Sequence, residues 1–184
     1  MAEAAVTATP FDLLLDIERK SQRHAAGLPA QTGEKQDWTG ILFRLKGTEL
    51  LAPMEQVAEI VSMPDVARVP GVKPWVLGIA NMRGNLLPVA DLQGYLYGEN
   101  VPSSEWKQGS LLVLRQGDMY AGLLVDAVLG MKHYWREDQA EELPALDAAL
   151  RPYVETSFSR MGEHYGVFAL GKLAASEEFM NVSV

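Results

Sequence analysis

The chain contains no cysteine. Disulfides and thiolate metal sites are therefore excluded, and a cytoplasmic home is the expectation. Positive charge is also scarce: 16 Lys and Arg against 24 Asp and Glu give a net charge of -8. Such a chain gains nothing from counterion release on a phosphate backbone, and it has no Lys/Arg cluster to act as a local footprint, so no nucleic-acid partner is expected. Apolar runs stop well short of the roughly 18 residues that a spanning helix needs. The N-terminus lacks a basic region followed by a long apolar stretch, so neither direct membrane insertion nor a signal peptide is expected. The three histidines, His24, His133 and His164, are not at ligand spacing, and no H-E-x-x-H, C-x-x-C, P-loop, G-x-S-x-G or G-x-G-x-x-G occurs. The expectation is no metal, no cofactor and no catalytic residue.

The length, 184 residues with 48% hydrophobic content, suits one domain or two small intimate subdomains. Thr9-Pro10-Phe11-Asp12 has helix-start chemistry, with Phe11, Leu14 and Leu15 on one face and Leu13 and Ile17 widening it. This helix should end before Gly27-Leu28-Pro29, and residues 30–37 are a polar linker. An N-terminal extension over 1–37 and a domain over 38–184 follow. From Trp38 the pattern becomes strand-like, with 41–47 alternating Ile41, Phe43 and Leu45 against Leu42, Arg44 and Lys46. Further strands are expected at 49–54, 57–63, 76–82, 86–92, 110–116, 119–130, 154–160 and 165–171. Lys46-Gly47-Thr48, Arg83-Gly84-Asn85, Gly117-Asp118 and Met161-Gly162-Glu163 mark hairpin turns. Helices are expected at 145–150 and 172–179. Many short strands bounded by glycine and proline make this an all-β barrel or sandwich with accessory helices.

Asp91 and Asp126 interrupt apolar strand sequence and could be imagined as a carboxylate pair. The simpler reading makes Asp91 the cap of a short helix and Asp126 an acceptor for backbone at a strand edge. The acidic run 137–142 is read as a solvated loop.

Residues 76–92, VLGIANMRGNLLPVADL, raise a sharper question, because Arg83 stands between two runs built for burial. The stretch resembles the signature of the CheW family of chemotaxis adaptors: Gly78, Asn81-Met82-Arg83-Gly84, Pro88-Val89 and Asp91-Leu92 stand at the family's spacing. Met82 occupies a place where leucine is usual. VAEIVSM (57–63), GLLVDAVLGM (122–131) and the closing strand with LGKL (170–173) match in order, from about Trp38 to the C-terminus. The N-terminal segment is similar to that of CheW-like proteins of type IV pilus (twitching motility) systems. The resemblance implies two interleaved five-stranded SH3-like barrels around a common core, and no enzymatic activity. It also implies a scaffold between a methyl-accepting chemoreceptor, whose helical hairpin tip would lie between the barrels, and the regulatory domain of a CheA-like histidine kinase. Carried over, Val57, Glu59, Asn81, Arg83 and Gly84 map to the receptor or kinase surface, with Gly122 and Val128 at a groove edge.

Arginine suits that role, because its apolar stem can lie on a barrel while its planar fork reaches a partner at the rim. Alternatively, Arg83 pairs internally with Glu59 or Asp91. A stand-alone peptide- or oligonucleotide-binding β-barrel is the rival function.

Overall fold

The computed structural model describes Asp37–Val184 apart from Asp118, together with Phe11, Leu14, Leu15, Ile17, Glu18 and Lys20. The chain divides into two compact units, Met1–Lys35 and Gln36–Val184. In the first, all six described residues are helical, and Phe11, Leu14 and Ile17 are exposed. The expected start and stop of that helix and all but the last residue of the linker lie outside the described residues; Asp37 already belongs to a strand.

In the second unit β1 (Asp37–Leu45) and β2 (Thr48–Pro53) form a hairpin. The chain then crosses into another sheet for β3 (Val57–Ser62), β4 (Val66–Ala67), β5 (Val76–Met82), β6 (Asn85–Asp91), β7 (Ser110–Gln116) and β8 (Met119–Val125). It returns to the first sheet with β9 (Ala127–Trp135), β10 (Gln139–Ala140), β11 (Val154–Arg160) and β12 (Glu163–Phe168). The sheet orders are β10-β11-β12-β2-β1-β9 and β3-β7-β8-β6-β5-β4. Each sheet therefore has five longer strands and one two-residue strand, and the second is inserted into the first. This agrees with the interleaved arrangement implied by the resemblance.

Side-chain clusters show why each sheet curls. Leu42, Leu51, Tyr134, Phe158 and Val167 come from five strands of the first sheet and meet in one apolar cluster. Leu77, Leu87, Leu111 and Leu124, with Val61 packed against them, do the same for the second. A third cluster, including Phe43, Leu50, Leu112, Leu123 and Phe168, draws on both sheets and joins them. Alternate residues of β7 serve different clusters: Leu111 and Val113 fill the barrel, while Leu112 and Leu114 fill the shared core. Strands buried on both faces read as continuous apolar runs. That is why Leu42, expected opposite the buried face of β1, is itself buried.

Two expected helices differ from those observed, and one expected strand is two. Residues 145–150 form no helix; Leu150 closes a turn on the Asp147 carbonyl (3.1 Å), and a short 3-10 turn follows at Arg151–Tyr153. A segment between Pro144 and Pro152 is too short to repay helix nucleation, so tertiary anchoring of Leu150 decides its path. The last helix is split into Leu170–Ala175 and Glu177–Met180, because the Ser176 hydroxyl accepts the Phe179 N–H and starts a second cap. The expected strand 119–130 breaks at Asp126, where the chain changes sheets. There the Asp126 amide donates to the Arg44 carbonyl, and its carboxylate accepts the Gly47 N–H at 3.2 Å. Asp126 serves backbone, as the simpler reading had it.

Asp91 does likewise. It is fully buried, caps the helix Leu92–Tyr97 by accepting the Gly94 N–H (3.0 Å), and accepts the Val101 N–H as well (2.6 Å). Burial pushes its carboxyl above the ordinary 3.8, while those amides pull it back. Asp91→Asn is expected to cost about 1–2 kcal/mol at neutral pH, because the amide offers one acceptor for two donors. A carboxyl raised in the folded state binds its proton more tightly folded than unfolded. Its contribution to stability therefore grows as pH falls through the folded value toward 3.8. Urea titrations should show the gap between wild type and variant widening over that acid window.

The second unit holds these three clusters within its own strands, short helices and loops. A chain beginning at Gln36 is accordingly expected to keep a cooperative urea transition, within about 0.5 kcal/mol of full length. An insoluble or molten product would place Phe11, Leu14 and Ile17 in the core.

Candidate partner-binding rim

β3 is an edge strand of the inserted barrel, and its side chains alternate strictly: Val57, Glu59 and Val61 are half-buried, while Ala58, Ile60 and Ser62 are exposed. A bulge between Val57 and Glu59 shifts the register against β7, from Leu114 to Val113. Bulges of this kind twist an edge and re-aim the side chains beside it.

The β5–β6 hairpin approaches from the far side of the curl. Its two turn residues both have positive φ, 52° at Arg83 and 87° at Gly84, the mirror-image turn that matches strand twist. Glycine adopts this freely; arginine does so at some cost, which the hairpin register holds in place. The Asn81 side chain accepts the Gly84 N–H at 2.9 Å and braces the turn. Arg83 thereby projects from the barrel, 80% exposed, and its Nη2 donates to Glu59 Oε1 at 2.6 Å; Glu59 is 31% exposed. β3 and β5 are separated by β7, β8 and β6 in the sheet order, so this pair closes the barrel's rim. Of the two internal carboxylates considered for Arg83, Glu59 is the partner and Asp91 is not.

Four expected site residues thus come together: Glu59, Asn81, Arg83 and Gly84. Val57 and Val128 pack at the margin of the shared core, the junction of the two sheets. Gly122 lies elsewhere. It is buried on β8 between Val89 of β6 and Val113 of β7, and an added Cβ would meet Leu111 Cδ2 at 2.8 Å. Its position is one of packing inside the barrel. Sequence reasoning missed Leu86, three residues beyond Arg83 and 70% exposed, along with Ile60 on β3. The exposure of these apolar side chains beside a charged turn is something only burial reveals.

Chemically, the rim offers a guanidinium with one donor engaged among the described residues, a half-buried carboxylate and exposed aliphatic groups. Among the described residues no cluster of His, Asp or Glu is arranged to hold a metal, and no helix is long and apolar enough to cross a membrane.

Residues 39–178 match the family of CheW-like domains. The chain is 45% identical to the protein PilI of Pseudomonas aeruginosa over 176 residues, covering 96% of this chain and 97% of that one. It is 34% identical to the chemotaxis protein CheW of Bacillus subtilis over 97 residues, 52% of this chain and 58% of that one. Among solved structures, the scaffolding protein TtCheW of Thermoanaerobacter tengcongensis superposes with a TM-score of 0.60 at 22% identity, covering 71% of this chain and 88% of that one. At that identity the likeness speaks for the fold.

Proposed function

The chain belongs to the family of CheW-like domains, whose members are adaptors and not enzymes, and from that premise we propose that it couples a methyl-accepting chemoreceptor to a CheA-type histidine kinase in the control of type IV pilus twitching motility. The pilus assignment is supported by likeness to PilI along nearly the whole chain, N-terminal segment included, where the Bacillus CheW match covers about half. A cytoplasmic position beneath a receptor array follows from this role.

The observation that carries the reading is the exposed Arg83–Glu59 pair on the barrel rim. A fork of five donors, one of them engaged among the described residues, is suited to the carbonyls or a glutamate of a helical hairpin tip. Val57 and Val128, at the junction of the sheets, would border the same partner, and the kinase regulatory domain would take a different barrel edge.

Biolayer interferometry with immobilised protein is the test. The expected result is saturable binding of both the kinase regulatory domain and the receptor's cytoplasmic hairpin, each without displacing the other. A protein that ignores both yet retains proline-rich peptide or single-stranded DNA would be a stand-alone binding module, and the proposal would fall.

A further inference from the structure

A second surface lies at the opposite end of β5 from Arg83, about 20 Å away at strand rise. It is a cleft of about 310 Å³ whose lining includes Arg68, Val69, Lys73, Val76, Leu77 and Trp106. That volume lies at the small end of ligand sites, enough for one or two side chains.

Its charge runs against the protein's own. In a chain of net charge -8, no carboxylate among the described residues lines this cleft. Neither Arg68 nor Lys73 forms an ion pair among the described residues; Lys73 donates only to the Glu178 carbonyl, at 3.2 Å. The nearby Lys107, by contrast, already has Asp65 at 3.6 Å. Among the described residues, these two cations thus have no ion-pair partner, and they stand beside an apolar wall.

The cleft is also built to hold its shape. The Trp106 indole N–H donates to the Val101 carbonyl at 2.9 Å, which fixes the ring. The Arg68 guanidinium lies over that ring, its Cζ 5.7 Å from the centroid. A guanidinium held near an aromatic face by a cation–π contact keeps its donor edge free. The segment behind it is tied by β4–β5 pairing, by a bridge between Val72 and Ser183, and by the Lys73 N–H to the Val182 carbonyl at 2.9 Å.

We propose that this cleft binds a short acidic-apolar peptide segment of a partner protein, with a side-chain carboxylate on the Arg68 fork and Lys73 and an adjacent aliphatic side chain against Val69, Val76 and Leu77. Exposed ion pairs alone add at most about 1 kcal/mol and are screened by salt. A free small anion would therefore be lost to water, and the apolar wall calls for a ligand carrying both groups. The Arg68 guanidinium over the indole competes with a stacking base for that face.

The experiment is selection of a random peptide library displayed on phage against the full chain, with the Arg68→Glu/Lys73→Glu variant in parallel. A selected peptide, synthesised as its C-terminal amide, is then titrated into ¹⁵N-labelled protein. The expected result is enrichment of Asp or Glu beside an aliphatic residue, a shift of the Trp106 indole resonance, and affinity at least about tenfold weaker in the variant. Arg68→Gln, which removes charge without reversing it, replaces the double variant if that protein fails to fold. Peptides that bind wild type and variant alike, sequences lacking acidic residues, or an unmoved indole would each overturn the assignment. So would saturation by inorganic phosphate at the peptide's own working concentration, which would make this a simple anion site. Binding of the receptor hairpin is read separately, so failure here leaves the adaptor reading standing.

Discussion

Replacing Arg83 by alanine is expected to weaken binding of the receptor hairpin by about 2 kcal/mol or more, the range of an arginine hot spot, while the folded protein keeps its stability within about 0.5 kcal/mol. The two halves of that expectation rest on the same geometry. With Arg83 80% exposed and Glu59 31% exposed, their 2.6 Å ion pair is bathed in solvent. Pairs of this kind contribute roughly 0–1 kcal/mol. Removing the arginine leaves Glu59 able to turn its carboxylate into water, so no buried charge is orphaned. At an interface the same fork would be desolvated, and truncating it would leave receptor carbonyls or a carboxylate unpaired. Binding by the kinase regulatory domain should hardly change. The urea midpoint and receptor affinity, measured on one preparation, decide the matter. A variant that loses 1–3 kcal/mol of stability but binds normally in its folded fraction would make Arg83 a structural residue. Raising salt from low to physiological should weaken wild-type binding more than that of the variant, since only wild type presents the charge.

The Arg83 turn was legible in the sequence from its residues, while a role for Arg83 at a partner surface came only with the family resemblance. Asn81, Arg83 and Gly84 carry a local mechanism: a side-chain acceptor, and two left-handed residues between apolar runs. The same logic made Lys46-Gly47 and Met161-Gly162 readable as hairpin turns. It also made Asp91 readable as a cap, since a carboxylate before a helix has one obvious use. What the sequence hid depends on contacts between distant segments. β1 begins at the polar Asp37 because Trp38 stacks on Phe158 at 4.4 Å, a pairing across 120 residues. β4 has two residues and no periodicity to detect. Alternation could not separate faces in β2 and β7, where both sides are covered. The break at Asp126 is invisible locally, because MYAGLLVDAVLG has the composition of one strand; only the carbonyl of Arg44 and the amide of Gly47 make it two. Gly122 illustrates the converse. A glycine in a motif suggests a groove, whereas the Leu111 side chain packed against it is what excludes a Cβ.

The largest loss of stability is expected from Gly78→Ala, at about 3 kcal/mol. Gly78 follows a bulge in β5, opposite Val89, and has a φ of 138°, a region that L side chains rarely adopt. Forcing alanine into it is one source of strain. The second is steric: an added Cβ would collide with the Ala67 carbonyl oxygen and lie 2.8 Å from Val66 Cγ1. A flexible side-chain tip could swing away, but a carbonyl paired within the sheet can move only if β4 separates from β5. Overpacking costs roughly 1–3 kcal/mol, and left-handed backbone for a residue with a Cβ adds about 1–2 kcal/mol. Because Arg68 directly follows the displaced Ala67, the damage should be directional. The Arg68–Trp106 cleft is expected to lose its peptide binding. The Glu59–Arg83 rim, beyond the opposite end of β5, should keep its receptor affinity per folded molecule. An unfolding free energy from urea titration within about 0.5 kcal/mol of wild type would mean that β4 yields without cost, and the cleft could not then be the rigid site its hydrogen bonds describe.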